Sequence, residues 1–169
     1  MASIEIKCVG PLNDTGRIEL KMVNLFIGKQ STGKSTLMKI LSYCRWLEKT
    51  IMTGSDTILF AYTHNNKFIK ELMQFYRFNM GYFSNDSVIH YQGDCVSILL
   101  NGVQSNVRIE RLSTFDDERY NTKLSFIPSE RNLLSAIRNI DRAYRASDLD
   151  VLFNFVFEWG EAKEHYTNS

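Results

Sequence analysis

The spacing of apolar and polar positions changes several times along the chain, and each change outlines an element. Residues 3–9 alternate, with Ile4, Ile6 and Cys8 on one face, which predicts a half-buried strand. Gly10-Pro11 and Asn13-Asp14 then mark a turn, and Arg17 to Met22 alternates again through Ile18, Leu20 and Met22. Val23-Asn24-Leu25-Phe26-Ile27 is almost continuously apolar, as buried central strands are. From Lys34 to Lys49 the spacing becomes helical, with Leu37, Ile40, Leu41, Cys44 and Leu47 in one stripe. A second helix is expected near 67–79, where Ile69, Leu72, Met73 and Tyr76 share a face.

The two-residue period then returns and predicts strands at 88–91, 95–100, 107–112 and 123–127, with Asn101-Gly102 as a turn. Pro128 ends the last of these, ahead of a short helix carrying Leu133, Leu134 and Ile137. Ser147 and Asp150 resemble a capping box that opens a final helix with Leu149, Leu152, Phe153 and Val156 inward. The strands at 3–9 and 17–22 are expected to pair antiparallel, because the short turn between them leaves no room for a crossover helix. Val23 to Ile27 should continue as a parallel core strand, with an antiparallel patch from 88–112 beside it. The order predicts an α/β domain with a mixed sheet, an antiparallel β patch and helices, in place of a regular β-α-β-α series.

Composition narrows the class without deciding it. The 169 residues, 44% of them hydrophobic and 23% charged, suit one globular domain over 1–169. The formal charge of +1 gives no bulk case for nucleic acid or membrane. Charge is less even locally: Arg131, Arg138, Arg142 and Arg145 stand among Glu130 and Asp141, and the tail from Asp148 to Glu164 is acidic. The start carries no signal-peptide pattern and no apolar run nears the roughly 18 residues of a membrane helix, so a cytoplasmic protein is expected. Cys8, Cys44 and Cys95 are odd in number and far apart, as reduced, mostly buried cysteines are. His64, His90 and His165 are scattered and form no metal motif.

The chemistry lies between the apolar run and the first helix. Gly28-Lys29-Gln30-Ser31-Thr32-Gly33-Lys34-Ser35 fits the phosphate-binding pattern G-x-x-x-x-G-K-[ST]. A polyphosphate needs many donors in a small concave space, and backbone N–H groups supply them without bulk. Glycines at both ends let such a loop wrap closely in conformations that other residues avoid. The helix that follows turns its free N–H groups and positive dipole end toward the same anion. Lys34 is expected to reach the β- and γ-phosphates as the catalytic cation, and the Ser35 hydroxyl to ligate Mg²⁺. Chance produces the motif in about one random chain of this length in 200. Gln30 either contacts phosphate or metal, or faces solvent. A guanine-binding Asn-Lys-x-Asp is not seen; Asn66-Lys67-Phe68-Ile69 lacks the carboxylate.

Gly10-Pro11-Leu12, the strand Arg17-Ile18-Glu19-Leu20, then Asn24-Leu25-Phe26-Ile27-Gly28 and its loop follow one another in order. That order resembles the N-terminal lobe of ABC-type ATPases of the SMC, RecF and overcoming-lysogenization-defect group, which includes bacterial AAA family ATPases. Ile127-Pro128-Ser129-Glu130-Arg131 resembles a segment that these proteins place after their antiparallel strands, so the likeness covers about 1–50 and 120–135. It implies ATP with Mg²⁺ as ligand, bound by Gly28 to Thr36, with Thr36 donating to the α-phosphate. Glu130 and Arg131 stand either in a nucleotide-sensing loop or in a helix cap with a surface ion pair. The likeness also implies a nucleotide-dependent homodimer, a possible DNA partner, and adenine against the early strands near Asp14 to Arg17.

Gln30-Ser31 stands where the family usually has Asn-Gly. Hydrolysis in the family also needs an Asp-Glu Walker B strand, a Ser-Gly-Gly signature and a switch histidine. Phe155-Val156-Phe157-Glu158 and Arg111-Leu112-Ser113-Thr114 do not supply them. The chain is therefore expected to be an N-terminal fragment or truncated ATPase that binds nucleotide without efficient turnover. The alternative is a self-contained P-loop phosphotransferase, with Arg138 and Arg142 in a lid. Arg138, Arg142 and Arg145 otherwise form a solvated or DNA-facing helix side, and Trp46 and Trp159 read as packing residues.

Overall fold

The computed structural model describes residues 1–64, 67–103, 107–112 and 124–127. Six strands form one antiparallel sheet: β1 (Ser3–Val9), β2 (Leu12–Asp14), β3 (Ile18–Glu19), β4 (Phe83–Gln92), β5 (Val96–Asn101) and β6 (Arg108–Arg111). Their order is β2-β1-β4-β5-β6, with β3 pairing β1 beyond β2. Between β3 and β4 run three helices, α1 (Lys34–Thr53), α2 (Asp56–His64) and α3 (Lys67–Tyr76). The described residues therefore make a mixed α/β unit, and no helix among them is long and apolar enough to cross a membrane.

Alternation explains the sheet. The register aligns Ile4 with Tyr91, Tyr91 with Ile98 and Ile98 with Ile109, while Ile6 meets Ile89 and Ile89 meets Leu100. These two rows of inward side chains are buried together with the apolar stripe of α1. The expected antiparallel pairing of the first two strands is present, with Ser3 opposite Glu19 and Ile4 opposite Ile18. Cys8 departs from the expected inward face. A bulge shifts the register between Lys7 and Val9, Cys8 adopts φ 50°, and Val9 goes inward in its place while Cys8 is exposed. The bulge is fastened by Ser87, whose hydroxyl donates to the Cys8 carbonyl and accepts from the Ser84 N–H at 2.8 Å.

The central parallel strand does not form, so the sheet of the described residues is antiparallel and not mixed. Val23, Leu25 and Ile27 are more than four-fifths exposed and lie in irregular backbone, with only Phe26 packed on the core. β1 is already paired on both sides, by β4 and by β2 with β3. Asn24 closes the end of β3, accepting from the Lys21 N–H at 2.8 Å and donating to the Glu19 carbonyl at 2.9 Å. Such side-chain bonds compete directly with a ladder. Residues 124–127 are likewise not a strand. The second of the three helices, α2, was not expected, and the helices and Arg-rich segment read beyond Pro128 lie outside the described residues.

α1 lies across the sheet because three sites hold it. At its start, Leu12 of β2 packs on Gly33. Farther along, Glu48 is 2% exposed and accepts from the Cys95 N–H at 2.8 Å, the Val96 N–H at 3.3 Å and the Tyr91 hydroxyl at 2.5 Å. Burial first, and then the Glu48 charge, push the Tyr91 phenol far above its ordinary range and keep it a donor. At its end, Arg111 of β6 donates to the Ile51 carbonyl at 3.3 Å and to Asp56 at 2.7 Å. Glu71 of α3 joins the helices to one another, accepting from the hydroxyls of Tyr43 on α1 and Tyr62 on α2.

Removing the Glu48 carboxylate takes an acceptor away from two N–H groups and a phenol in the core. Glu48→Ala should cost about 3 kcal/mol or more, and Glu48→Gln, which keeps one acceptor, distinctly less. Urea unfolding of the three proteins at a common slope measures the difference; equal midpoints would refute this role.

Candidate phosphate site

The loop from Gly28 to Gly33 carries the chain from the exposed apolar run into α1. Its backbone is shaped by two left-handed residues, Ser31 at φ 62° and Gly33 at φ 90°. Gly33 is the N-cap of α1, and a glycine there has no side chain to accept the free N–H groups of the first turn. The first backbone bond at this end runs from the Leu37 N–H to the Gly33 carbonyl at 2.9 Å. The N–H groups of Lys34, Ser35 and Thr36 are thus left to an external acceptor, and the first turn contains no acidic residue.

The two glycines of the motif do different work. Gly33 combines its left-handed backbone with close packing, since a Cβ there would lie 2.5 Å from Leu12 Cδ2 and 3.3 Å from Pro11 Cγ. Gly28 needs no left-handed backbone; a Cβ there would lie 3.2 Å from Thr32 Oγ1. Ser31 takes the second left-handed position, where the resembling family has glycine, at a cost of about 1 kcal/mol.

Lys34 folds back over the loop. Its Nζ donates to the Gly28 carbonyl at 2.6 Å, to the Lys29 carbonyl, and to Thr32 Oγ1 at 3.4 Å. Thr32 Oγ1 in turn donates to the Lys29 carbonyl at 2.9 Å. The ammonium is therefore held at the loop by neutral carbonyls, which an anion would replace with charge-assisted partners. Lys29 and Gln30 are exposed.

Beside the loop opens a cavity of about 500 Å³ lined by Gly10, Pro11, Ser31, Gly33, Ser35, Thr36, Asn79, Gly81 and Tyr82. Four of the expected binding residues, Ser31, Gly33, Ser35 and Thr36, share this cavity, while Gly28, Lys29, Gln30, Thr32 and Lys34 stand outside its lining. Ser35 is exposed at the first helical turn and presents one hydroxyl there. That suits Mg²⁺, which takes one or two protein oxygens beside phosphate oxygens and water.

The rest of the lining was not read from the sequence. Gly10 and Pro11 come from the β1–β2 turn, and Gly81 and Tyr82 from the 3-10 turn (Met80–Tyr82) before β4, with Asn79 as its N-cap. The Gly10 N–H donates to the Tyr82 carbonyl at 2.8 Å and a Cβ on Gly10 would lie 2.5 Å from the Tyr82 ring, so the two segments meet directly. Asp14 to Arg17, where adenine was expected, are not among the residues that line this cavity. Asp14 accepts from the Gly16 N–H at 2.8 Å, and Arg17 bonds Ser3 at 3.2 Å and Gln92 at 3.4 Å, toward the far end of β1.

No family model, curated protein or solved structure matches the chain.

The asymmetry between the left-handed residues is testable through stability alone. Gly33→Ala should cost about 2–4 kcal/mol, from backbone strain and overpacking on Leu12. Ser31→Gly should cost nothing measurable, because relief of strain offsets the added freedom of the unfolded chain. Thermal unfolding of both variants decides it; an undiminished midpoint for Gly33→Ala would show that the loop's geometry is misjudged.

Proposed function

We propose that Gly28 to Thr36 bind the polyphosphate of a nucleoside triphosphate, Mg·ATP, in an ABC-like domain of the SMC, RecF and overcoming-lysogenization-defect type. The observation that carries this reading is the uncapped start of α1, which leaves three N–H groups beside a cavity and behind a loop with two left-handed residues. Lys34 exchanges loop carbonyls for β- and γ-phosphate oxygens, and Thr36 donates to the α-phosphate. Ser35 gives its hydroxyl to Mg²⁺, which neutralises phosphate charge when bound. A nucleotide-dependent homodimer and a DNA partner rest on the family resemblance alone.

Lys34→Ala should weaken Mg·ATP binding at least tenfold, about 1.4 kcal/mol, with the fold intact by circular dichroism. Isothermal titration of both proteins tests it, and equal affinities would sink the assignment. The chain of 169 residues should also turn over ATP far below about 1 s⁻¹. Robust turnover that disappears with Lys34→Ala would instead support a phosphotransferase.

A further inference from the structure

The cavity beside the loop has two chemically different walls. On one side stand Ser31, Gly33, Ser35 and Thr36, at the first-turn N–H groups of α1. On the other stand Gly10, Pro11, Gly81, Tyr82 and Asn79, which carry no charge. A phosphate chain has nothing to gain from that second wall. A neutral, flat group does. The volume of about 500 Å³ also lies within the range of small-molecule sites.

The neutral wall is built before any ligand arrives. Tyr82 stacks on Phe78 with ring centroids 4.6 Å apart and planes at 15°. Its N–H donates to the Asn79 carbonyl at 3.1 Å, and its carbonyl accepts from Gly10. Gly10 and Gly81 keep the approach free of side chains, since a Cβ on Gly81 would reach Asn79 Oδ1 at 3.3 Å. Asn79 is exposed, and its side-chain amide has no hydrogen-bond partner among the described residues.

We infer that this wall is a nucleobase subsite in which Asn79 reads adenine. The inference rests on the Mg·ATP reading of the loop and adds the residue that reads the base. An asparagine amide donates and accepts side by side, which matches the acceptor N7 and donor N6 of adenine. Guanine offers two acceptors, N7 and O6, along the same edge and leaves the amide oxygen unpaired. Thr36 is buried and lines the same cavity, so an α-phosphate held by it would leave the ribose to continue along that cavity.

Three probes separate this subsite from the phosphate loop: ATP, GTP and inorganic tripolyphosphate, each with Mg²⁺, titrated into the 169-residue chain. The wild type should prefer ATP over GTP by about tenfold or more. Asn79→Ala should remove most of that preference by weakening ATP, with tripolyphosphate affinity unchanged. Gly81→Leu, whose side chain would start 3.3 Å from Asn79 Oδ1 and take up the room beside it, should weaken ATP and GTP together and spare tripolyphosphate. Lys34→Ala should weaken all three. If tripolyphosphate binds in a Lys34-dependent way but Asn79→Ala leaves the ATP-to-GTP ratio intact, the base subsite is wrong and the phosphate loop stands. If tripolyphosphate and ATP both bind without regard to Lys34, or fail to bind, the loop reading falls and the subsite falls with it.

Discussion

A carboxylate buried between a helix and a hairpin sets the geometry of this domain. Glu48 accepts two backbone N–H groups from the β4–β5 turn and the hydroxyl of Tyr91, so α1 has one rotation and one height above the sheet. The turn is shaped to fit it: a Cβ on Gly93 would collide with the Glu48 carboxylate. Fixing the middle of a 20-residue helix, about 30 Å long, also fixes where its first turn points. That first turn emerges at the β1–β2 turn, where Leu12 and Pro11 crowd Gly33. A second carboxylate repeats the device among the helices. Glu71 gathers the hydroxyls of Tyr43 and Tyr62 and an ion pair with Lys67 at 3.3 Å, so one carboxylate ties the three helices together.

Much of this was legible wherever one residue's neighbours were its sequence neighbours. The alternation in β1, β4 and β5 and the stripe from Leu37 to Leu47 gave those elements directly. Failures occurred where a distant partner decided. Val23 to Ile27 has the composition of a core strand, but strand formation needs a free edge, and the edge of β1 was taken. Cys8 was displaced by a bulge whose cause, Ser87, lies 79 residues away. Helix α2 was missed because its apolar stripe is weak and only Tyr62 on it is buried. Its start does carry a local signal, the Ile58 N–H bonded to the Ser55 carbonyl at 3.0 Å.

The candidate site divides in the same way. The phosphate half is contiguous in sequence, so spacing alone finds Gly28 to Thr36. The neutral half is assembled from the β1–β2 turn and the segment before β4, which lie about seventy residues apart in sequence and adjoin because β1 pairs β4 with Val9 opposite Phe83, one residue from Gly10 and Tyr82. Asn79-Met80-Gly81-Tyr82 has the look of an ordinary connection, and its amide gains meaning only from the cavity it borders.

The exposed row Met22, Val23, Leu25 and Ile27 has a consequence for how the protein behaves in solution. Four apolar side chains within six residues on irregular backbone form a surface that gains by leaving water. Lys21 and Lys29 bracket the row with positive charge and act as gatekeepers, so two such rows repel at low ionic strength. Screening shortens that repulsion to about 8 Å at physiological salt and to about 3 Å in molar salt. Two lysines and the ionic strength around them therefore set the field at this row, although the overall charge of the chain is close to neutral.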